Sequence, residues 1–396
     1  MKEESRQQIE LAERSLLHTY NRFPLILDHG EGMYLYDTEG KQYLDFFSGI
    51  GVFALGHHYP GFDDALKEQI DKLLHTSNYF YNPPAIAAAA KLTKISGMER
   101  VFFTNSGAEA VEGALKCARK VARSRGKEDA YEIIAMEHSF HGRTFGALSV
   151  TGTESYRTPF EPLIGGVRFA QLNDIGSVRA QVTEKTCAII LEVIQGEGGI
   201  LCAEDAFLRD VRALCDEEDI VLIFDEIQCG MGRTGNLFAW EKASVRPDIM
   251  TLAKALGCGV SVGAFLVREE IAALGLQPGD HGTTYGGNPF ACAAVNRVLD
   301  LFEQDHIIDH VREVAPYFTS CLEEIKATVP SVTERRGYGL MQGLVFDRPV
   351  ADLMGRAREN GLILINAGAN VLRFLPPLIV TREDIDEMAR RLKESI

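Results

Sequence analysis

Between about residues 60 and 290 the apolar positions fall into short, nearly unbroken runs: RVFFT, EIIAM, CAIILEV, IVLIFDE, DIMTLA and VGAFLVR. Stretches of helical period, such as 108–123 and 205–218, separate them. A strand that is apolar on both sides must be covered on both sides, so this alternation predicts a mostly parallel sheet with helices on each face. Ahead of it, residues 1–20 read as a helix, and MYLYD (33–37) and YLDFF (43–47) read as a hairpin turning at Glu39-Gly40. Beyond Pro289, a long helical stretch, a period-two stretch at 339–347, the strand NVLRFL and a helix from Thr381 predict an α+β unit. The chain divides on this reading into an N-terminal segment (1–60) joining the small domain, a large domain (61–288) and a C-terminal small domain (289–396).

A length of 396 residues supports two cores, and 46% hydrophobic with 24% charged residues is the composition of a globular protein. The net charge of -15 argues against nucleic acid and against an anionic membrane surface as partners, so an anionic ligand must be captured locally. No apolar run approaches the roughly 20 residues that span a bilayer, and the charged start has no signal-peptide core, which reads as a cytoplasmic protein. The eight cysteines form no CxxC pair and sit mostly in apolar segments, so they read as small core hydrophobes rather than as disulfides or metal ligands.

Ligands of parallel α/β sheets gather at the carboxyl ends of strands, which directs attention to polar residues that follow apolar runs. In VFFTN-Ser106-Gly107-Ala108 a strand enters a helix through small residues, suiting either a phosphate on the helix N-terminus or a plain cap and turn. In VLIF-Asp225-Glu226-Ile227-Gln228 two carboxylates end a buried strand, an arrangement that requires partners. Asp225 there suits a pyridine nitrogen; magnesium is the alternative, but the chain contains no GxxxxGK[ST] loop. Lys254 follows DIMTLA, where burial would free its amine as a nucleophile, or where its stem simply packs and its head reaches water. SFHGRT (139–144) offers Phe140 to cover a planar ring and Arg143 to fork a carboxylate, while His138 and His141 read as packing or hydrogen-bonding histidines.

Taken together, NSGAEA (105–110), FHGRT (140–144), IQGEGG (194–199), IFDEIQCGMGRTG (223–235), TLAKALG (251–257), HGTTYGGNPFAC (281–292) and NVLRFLPPL (370–378) resemble the class III, ornithine-type, pyridoxal-phosphate-dependent aminotransferases. The likeness runs from about residue 20 to the end, and within the class it is greatest to enzymes acting on N-acetylornithine. It implies the α/β architecture of fold-type I pyridoxal-phosphate transferases: a large domain with a mostly parallel seven-stranded sheet plus a small α+β domain. It also implies that Lys254 carries pyridoxal 5'-phosphate as a Schiff base, Asp225 pairs with the ring nitrogen, Gln228 lies near the phenolic oxygen and Phe140 stacks on the ring. Ser106, Gly107 and Ala108 would hold the phosphate, completed by Thr284 from the neighbouring subunit of a homodimer.

The same resemblance gives Arg143 the carboxylate far from the reacting amine and Arg373 the α-carboxylate of glutamate, with Glu197 pairing Arg373 when an ω-amine is bound. The implied reaction converts N-acetylornithine and 2-oxoglutarate to N-acetylglutamate 5-semialdehyde and glutamate, a step of arginine biosynthesis, with no metal. Ornithine, 4-aminobutyrate, succinylornithine or a lysine-pathway amine are the rival substrates, and a glutamate-1-semialdehyde aminomutase or a non-catalytic protein the rival classes. Ile50 stands where ornithine enzymes carry a tyrosine, which suits an N-acyl substrate or plain packing. Val111, Val193, Phe53 and Cys258 depart from the family pattern without removing a catalytic group.

Overall fold

The computed structural model describes residues 2–396. Its largest sheet has seven strands in the order Arg100–Thr104, Gly263–Val267, Ile249–Leu252, Val221–Asp225, Thr186–Glu192, Glu132–Met136, Val167–Ala170. All neighbours are parallel except Gly263–Val267, which runs antiparallel to both of its partners. This is the mostly parallel sheet that the apolar runs predict. Side-chain alternation divides its residues between its faces, in three clusters, one of which takes Met250, Leu252, Ala264 and Leu266. Ile133, Ala135, Ala188, Ile190, Val221 and Ile223 pack with the helix Gly107–Ser124, while Ile134, Met136, Ile189, Leu191, Leu222 and Phe224 pack with Asp205–Glu218. Every residue of Val221–Asp225 is buried, because each face of the strand is covered.

The hairpin strands Tyr34–Asp37 and Gln42–Asp45 pair antiparallel, and a strand not foreseen in the sequence, Leu27–Glu31, extends them. Gln42–Asp45 also pairs in parallel with Leu362–Ile363, which ties the start of the chain to its last third. A second antiparallel sheet, Val332–Tyr338, Met341–Phe346, Val371–Phe374 and Ile365–Asn366, carries Arg373.

Several elements differ from the sequence reading. The first helix covers only Glu3–Ser15, and the long helical stretch after Pro289 divides into Pro289–Gln304 and Ile307–Thr328 at His306, whose φ of 50° breaks the helical path. The helices Phe62–Lys72 and Pro83–Ser96 were not read from periodicity. The second is built by local chemistry: the Asn82 side chain accepts the Ala85 N–H at 2.9 Å, proline follows, and Gly97 ends it in the left-handed region. All eight cysteines are free, and six of them are buried.

No described helix is long and apolar enough to cross a membrane. Leu222 is fully buried at the centre of the large sheet, so Leu222→Ala is expected to cost about 2–5 kcal/mol and to lower the midpoint of thermal unfolding measured by circular dichroism.

Candidate active site

Three neighbouring strands end together at the carboxyl edge of the large sheet, and register places Glu192, Asp225 and Thr251 side by side. A carboxylate there is costly unless hydrogen bonds meet it. For Asp225 they come from two directions: the Ile227 N–H donates to Oδ1 at 3.0 Å, and His141 Nδ1–H donates to Oδ2 at 2.7 Å. His141 is itself buried, its N–H donating to Thr151 Oγ1 at 3.0 Å, so it acts as the hydrogen-bonding residue expected of it. Glu192 is the residue the sequence reading passed over. Its Oε2 accepts the Phe140 N–H at 3.2 Å, and burial, with Asp225 alongside, pushes its carboxyl well above the usual range.

Glu226, the second carboxylate of the pair, points elsewhere and accepts the N–H groups of Ala239 at 2.7 Å and Trp240 at 2.9 Å. Burial pushes its pKa up to about 8 despite those bonds.

The cavity at this sheet edge has a volume of about 510 Å³. Ser106, Gly107, Ala108, Phe140, Arg143, Glu197, Asp225, Gln228 and Lys254, all singled out in the sequence, line it. Lys254 follows the strand Ile249–Leu252 in a left-handed conformation with φ 49°. Burial pushes its ammonium below its ordinary value, against the opposing pull of Glu197, Asp225 and Glu192.

The helix Gly107–Ser124 begins at the cavity, and the N–H groups of Gly107 and Ala108 have no partner within the helix. Ser106 caps that helix, its Oγ accepting the Glu109 N–H at 3.2 Å. A Cβ on Gly107 would lie 2.8 Å from Ile227 Cδ1, so a side chain there would have to displace Ile227.

Opposite, Arg373 is fully buried and donates from Nη1 to Glu197 Oε1 at 2.6 Å, to the Gly196 carbonyl at 3.0 Å and to Gln228 Oε1 at 3.1 Å. Burial works against the charge on Glu197, but Arg373 outweighs it and holds the carboxyl below its ordinary value. Arg143 is exposed at the cavity mouth, its guanidinium 3.8 Å from the ring centre of Tyr156 and 5.5 Å from that of Phe140.

Thr284 is exposed and does not line the cavity of its own chain. Its neighbour Thr283 accepts from Asn105 Nδ2 at 3.2 Å, tying that loop to the start of the helix. Ile50 packs against the cluster beneath the large sheet, and Val52 faces the cavity instead. Of the departures from the family pattern, Val111 and Val193 are core residues, and Cys258 Sγ accepts the Leu55 N–H at 3.4 Å. Phe53 lies against Gly259 in the cavity wall.

The sequence profile described as "Aminotransferase class-III" matches residues 16–396. The chain belongs to the class-III aminotransferases. It is similar to the acetylornithine aminotransferase of Aquifex aeolicus, with 48% identity over 96% of this chain and 99% of that protein. Among solved structures it resembles the ornithine aminotransferase of Toxoplasma gondii, with TM-score 0.95, 32% identity and coverage of 100% of this chain and 95% of that one. It also resembles the acetylornithine aminotransferase of Elizabethkingia anophelis, with TM-score 0.88, 32% identity and coverage of 99% and 98%. The chain is thus a pyridoxal-phosphate-dependent aminotransferase of fold-type I, a family that acts on amino and keto acids.

Because buried Glu226 keeps its proton to about pH 8 while the unfolded chain ionises near 4.5, the unfolded state binds fewer protons between those values. The wild-type aminotransferase therefore loses stability from this group as pH rises through that window. Glu226→Gln has no such group to ionise. Its denaturant midpoint relative to wild type is expected to climb from pH 5 to 8 and then level off.

Proposed function

We propose that this aminotransferase converts N-acetylornithine and 2-oxoglutarate to N-acetylglutamate 5-semialdehyde and glutamate. The observation that carries the reading is a pair of arginines: Arg143 lines the Lys254 cavity and has no hydrogen bond or ion pair among the described residues, while Arg373 is buried behind the lining residue Glu197 and already paired with it. A substrate pool that includes both an ω-amine and glutamate needs two carboxylate sites, one of which can be switched off. Arg143 serves the carboxylate distant from the reacting amine in both half-reactions. Arg373 serves the α-carboxylate of glutamate and returns to Glu197 when the ω-amine is bound, so that neither buried charge is left alone.

The donor set suits pyridoxal phosphate: a cavity-facing amine, free N–H groups at a helix start and a carboxylate anchored on its far side by His141. Lys254 would hold the cofactor covalently, Gly107, Ala108 and Ser106 its phosphate, Asp225 its ring nitrogen, Gln228 its phenolic oxygen side, and Phe140 one face of its ring. When bound, that cofactor supplies an electron sink for the bonding electrons released at the substrate's amine-bearing carbon. Lys254, its basicity lowered by burial, carries the proton to and from that carbon. His141 holds the Asp225 carboxylate in one orientation, and Glu192 fixes the backbone at Phe140.

Ornithine is the rival that the Toxoplasma gondii likeness favours, and its free α-ammonium would call for an available carboxylate. The carboxylates lining the cavity are Glu192, Glu197 and Asp225, already bonded to Phe140, Arg373 and His141. Val52 adds an apolar wall, which suits an acylated amine better.

The reading includes a homodimer in which Thr284 reaches the phosphate site of a second copy. In support, Tyr79, Phe80 and Tyr81 are 95%, 71% and 95% exposed, and they adjoin Asn78, whose Nδ2 donates to the Gly286 carbonyl at 2.9 Å. This joins a large exposed aromatic surface to the loop that carries Thr284.

Single additions of N-acetylornithine, ornithine, 4-aminobutyrate and glutamate to the protein with bound cofactor test the substrate through the cofactor's absorbance. Fast amination by N-acetylornithine and by glutamate is expected. Faster amination by another ω-amine would move the substrate, and none by any amine would refute the proposal. Lys254→Ala is expected to retain cofactor without its covalent attachment and to lose turnover by at least about 10²-fold, checked by mass spectrometry and steady-state rates. Glu197→Ala is expected to change the ratio of the N-acetylornithine and glutamate half-reaction constants; an unchanged ratio would rule out the switch.

A further inference from the structure

Arg143 has an unusual set of contacts for a substrate-binding arginine. The short helix Phe145–Ser149 just after it is anchored: Glu112, on the helix Gly107–Ser124, accepts the N–H groups of Gly146 at 2.8 Å and Ala147 at 3.2 Å through Oε1. The Arg143 guanidinium, by contrast, has no hydrogen bond or ion pair among the described residues, and lies over two aromatic rings. The nearer ring is Tyr156, at 3.8 Å, the shortest such approach of a cation to a ring among the described residues. Tyr156 stands in turn edge-on to Phe140, with ring centres 6.1 Å apart and an interplanar angle of 87°. The three side chains form one contiguous cluster, with Phe140 and Arg143 lining the cavity.

We propose that Tyr156 is a positioning residue for substrate specificity: its ring holds the Arg143 guanidinium by face contact and leaves the N–H fork free for the carboxylate distant from the reacting amine. A carboxylate partner on the protein would hold Arg143 as firmly but would compete with the substrate for the same N–H groups. A ring binds the cation through its π face and occupies none of them. An exposed arginine stem loses rotamer freedom when it is fixed, so holding the head before substrate arrives reduces the ordering cost of binding. Phe140 extends the device, since the residue assigned to the cofactor ring also touches the arginine, placing the carboxylate site in fixed relation to the reacting carbon.

The inference rests on the reading of Arg143 as the distal-carboxylate site, and the test separates the two. Glutamate and L-alanine share the α-amino acid end and differ in the distal carboxylate. Half-reactions of the enzyme with bound cofactor are measured against the concentration of each, for wild type, Tyr156→Leu and Tyr156→Phe. Tyr156→Leu is expected to raise the apparent dissociation constant for glutamate about fivefold (~1 kcal/mol) while its limiting rate and the second-order constant for L-alanine stay unchanged. Tyr156→Phe, which keeps the ring, is expected to behave as wild type. Equal losses for glutamate and alanine, a loss in Tyr156→Phe as large as in Tyr156→Leu, or no loss at all would overturn the proposal.

Calorimetric titration of the same proteins with glutarate, a dicarboxylate that cannot react, gives a second reading independent of turnover, with weaker binding expected only in Tyr156→Leu. If the wild type does not react with glutamate, the transamination reading fails and glutarate still decides the role of Tyr156. Tyr156→Met replaces the leucine variant should that chain fail to fold.

Discussion

A carboxylate at the end of a strand covered on both faces has to be met by donors, and the cavity is organised around meeting Asp225. Val221–Asp225 is buried along its whole length and its neighbours end in Glu192 and Thr251. Asp225 is almost fully buried, and the ring of His141 supplies one of its donors. That requirement fixes the segment 139–144 against the sheet. Phe140 and Arg143 lie beside His141 in the chain, so the same bond that stabilises Asp225 also sets where an aromatic face and a guanidinium stand at the cavity. Glu192 reinforces the arrangement by accepting the Phe140 N–H. One buried polar contact therefore determines the placement of residues assigned to both cofactor and substrate.

The second constraint is the burial of two arginines. Arg373 lies on the antiparallel sheet and reaches the large sheet's edge through Glu197, Gln228 and the Gly196 carbonyl. Gly196 has no room for a Cβ because Gln228 Oε1 occupies that space, which keeps the amide against the guanidinium. Arg233 is almost equally buried, its guanidinium donates to the carbonyls of Leu340 and Pro376, and burial pushes its pKa down to about 9. Its own carbonyl accepts the Leu340 N–H at 2.8 Å. The segment following Gln228 is thereby fastened to the chain just beyond Phe374, so the two sheets meet at the site through directional bonds as well as apolar packing.

These constraints produce two arginines of different character, Arg143 lining the cavity and Arg373 buried behind Glu197. Arg373 is inaccessible to water, and its charge must be answered at all times, by Glu197 or by an α-carboxylate in its place. Arg143 stands at the mouth, where solvent can answer its charge and aromatic rings hold its position. On the proposed function, an inner cation whose counterion gives way to substrate and an outer one without a counterion would discriminate between amines by where their carboxylates lie. This asymmetry supports transamination between an ω-amine and glutamate.

The carboxyl-end residues were legible because apolar strands that stop at Asp225 or Lys254 break a pattern that burial otherwise enforces. Glu192 follows the same rule but was passed over, since Val193 and Ile194 continue the apolar run beyond it. The helix Pro83–Ser96 escaped notice because alanines carry most of its periodicity, and only Ala88, Leu92 and Ser96 are buried. Motif order and residue type along the chain thus determined the sheet, the family and nine of the 22 residues lining the cavity. Tertiary structure alone decided which partners those residues find: His141 for Asp225, Tyr156 for Arg143, and the surface beside Thr284 that its own cavity does not use. Such pairings depend on distances between elements far apart in sequence, and periodicity records only which face of its own element a residue occupies.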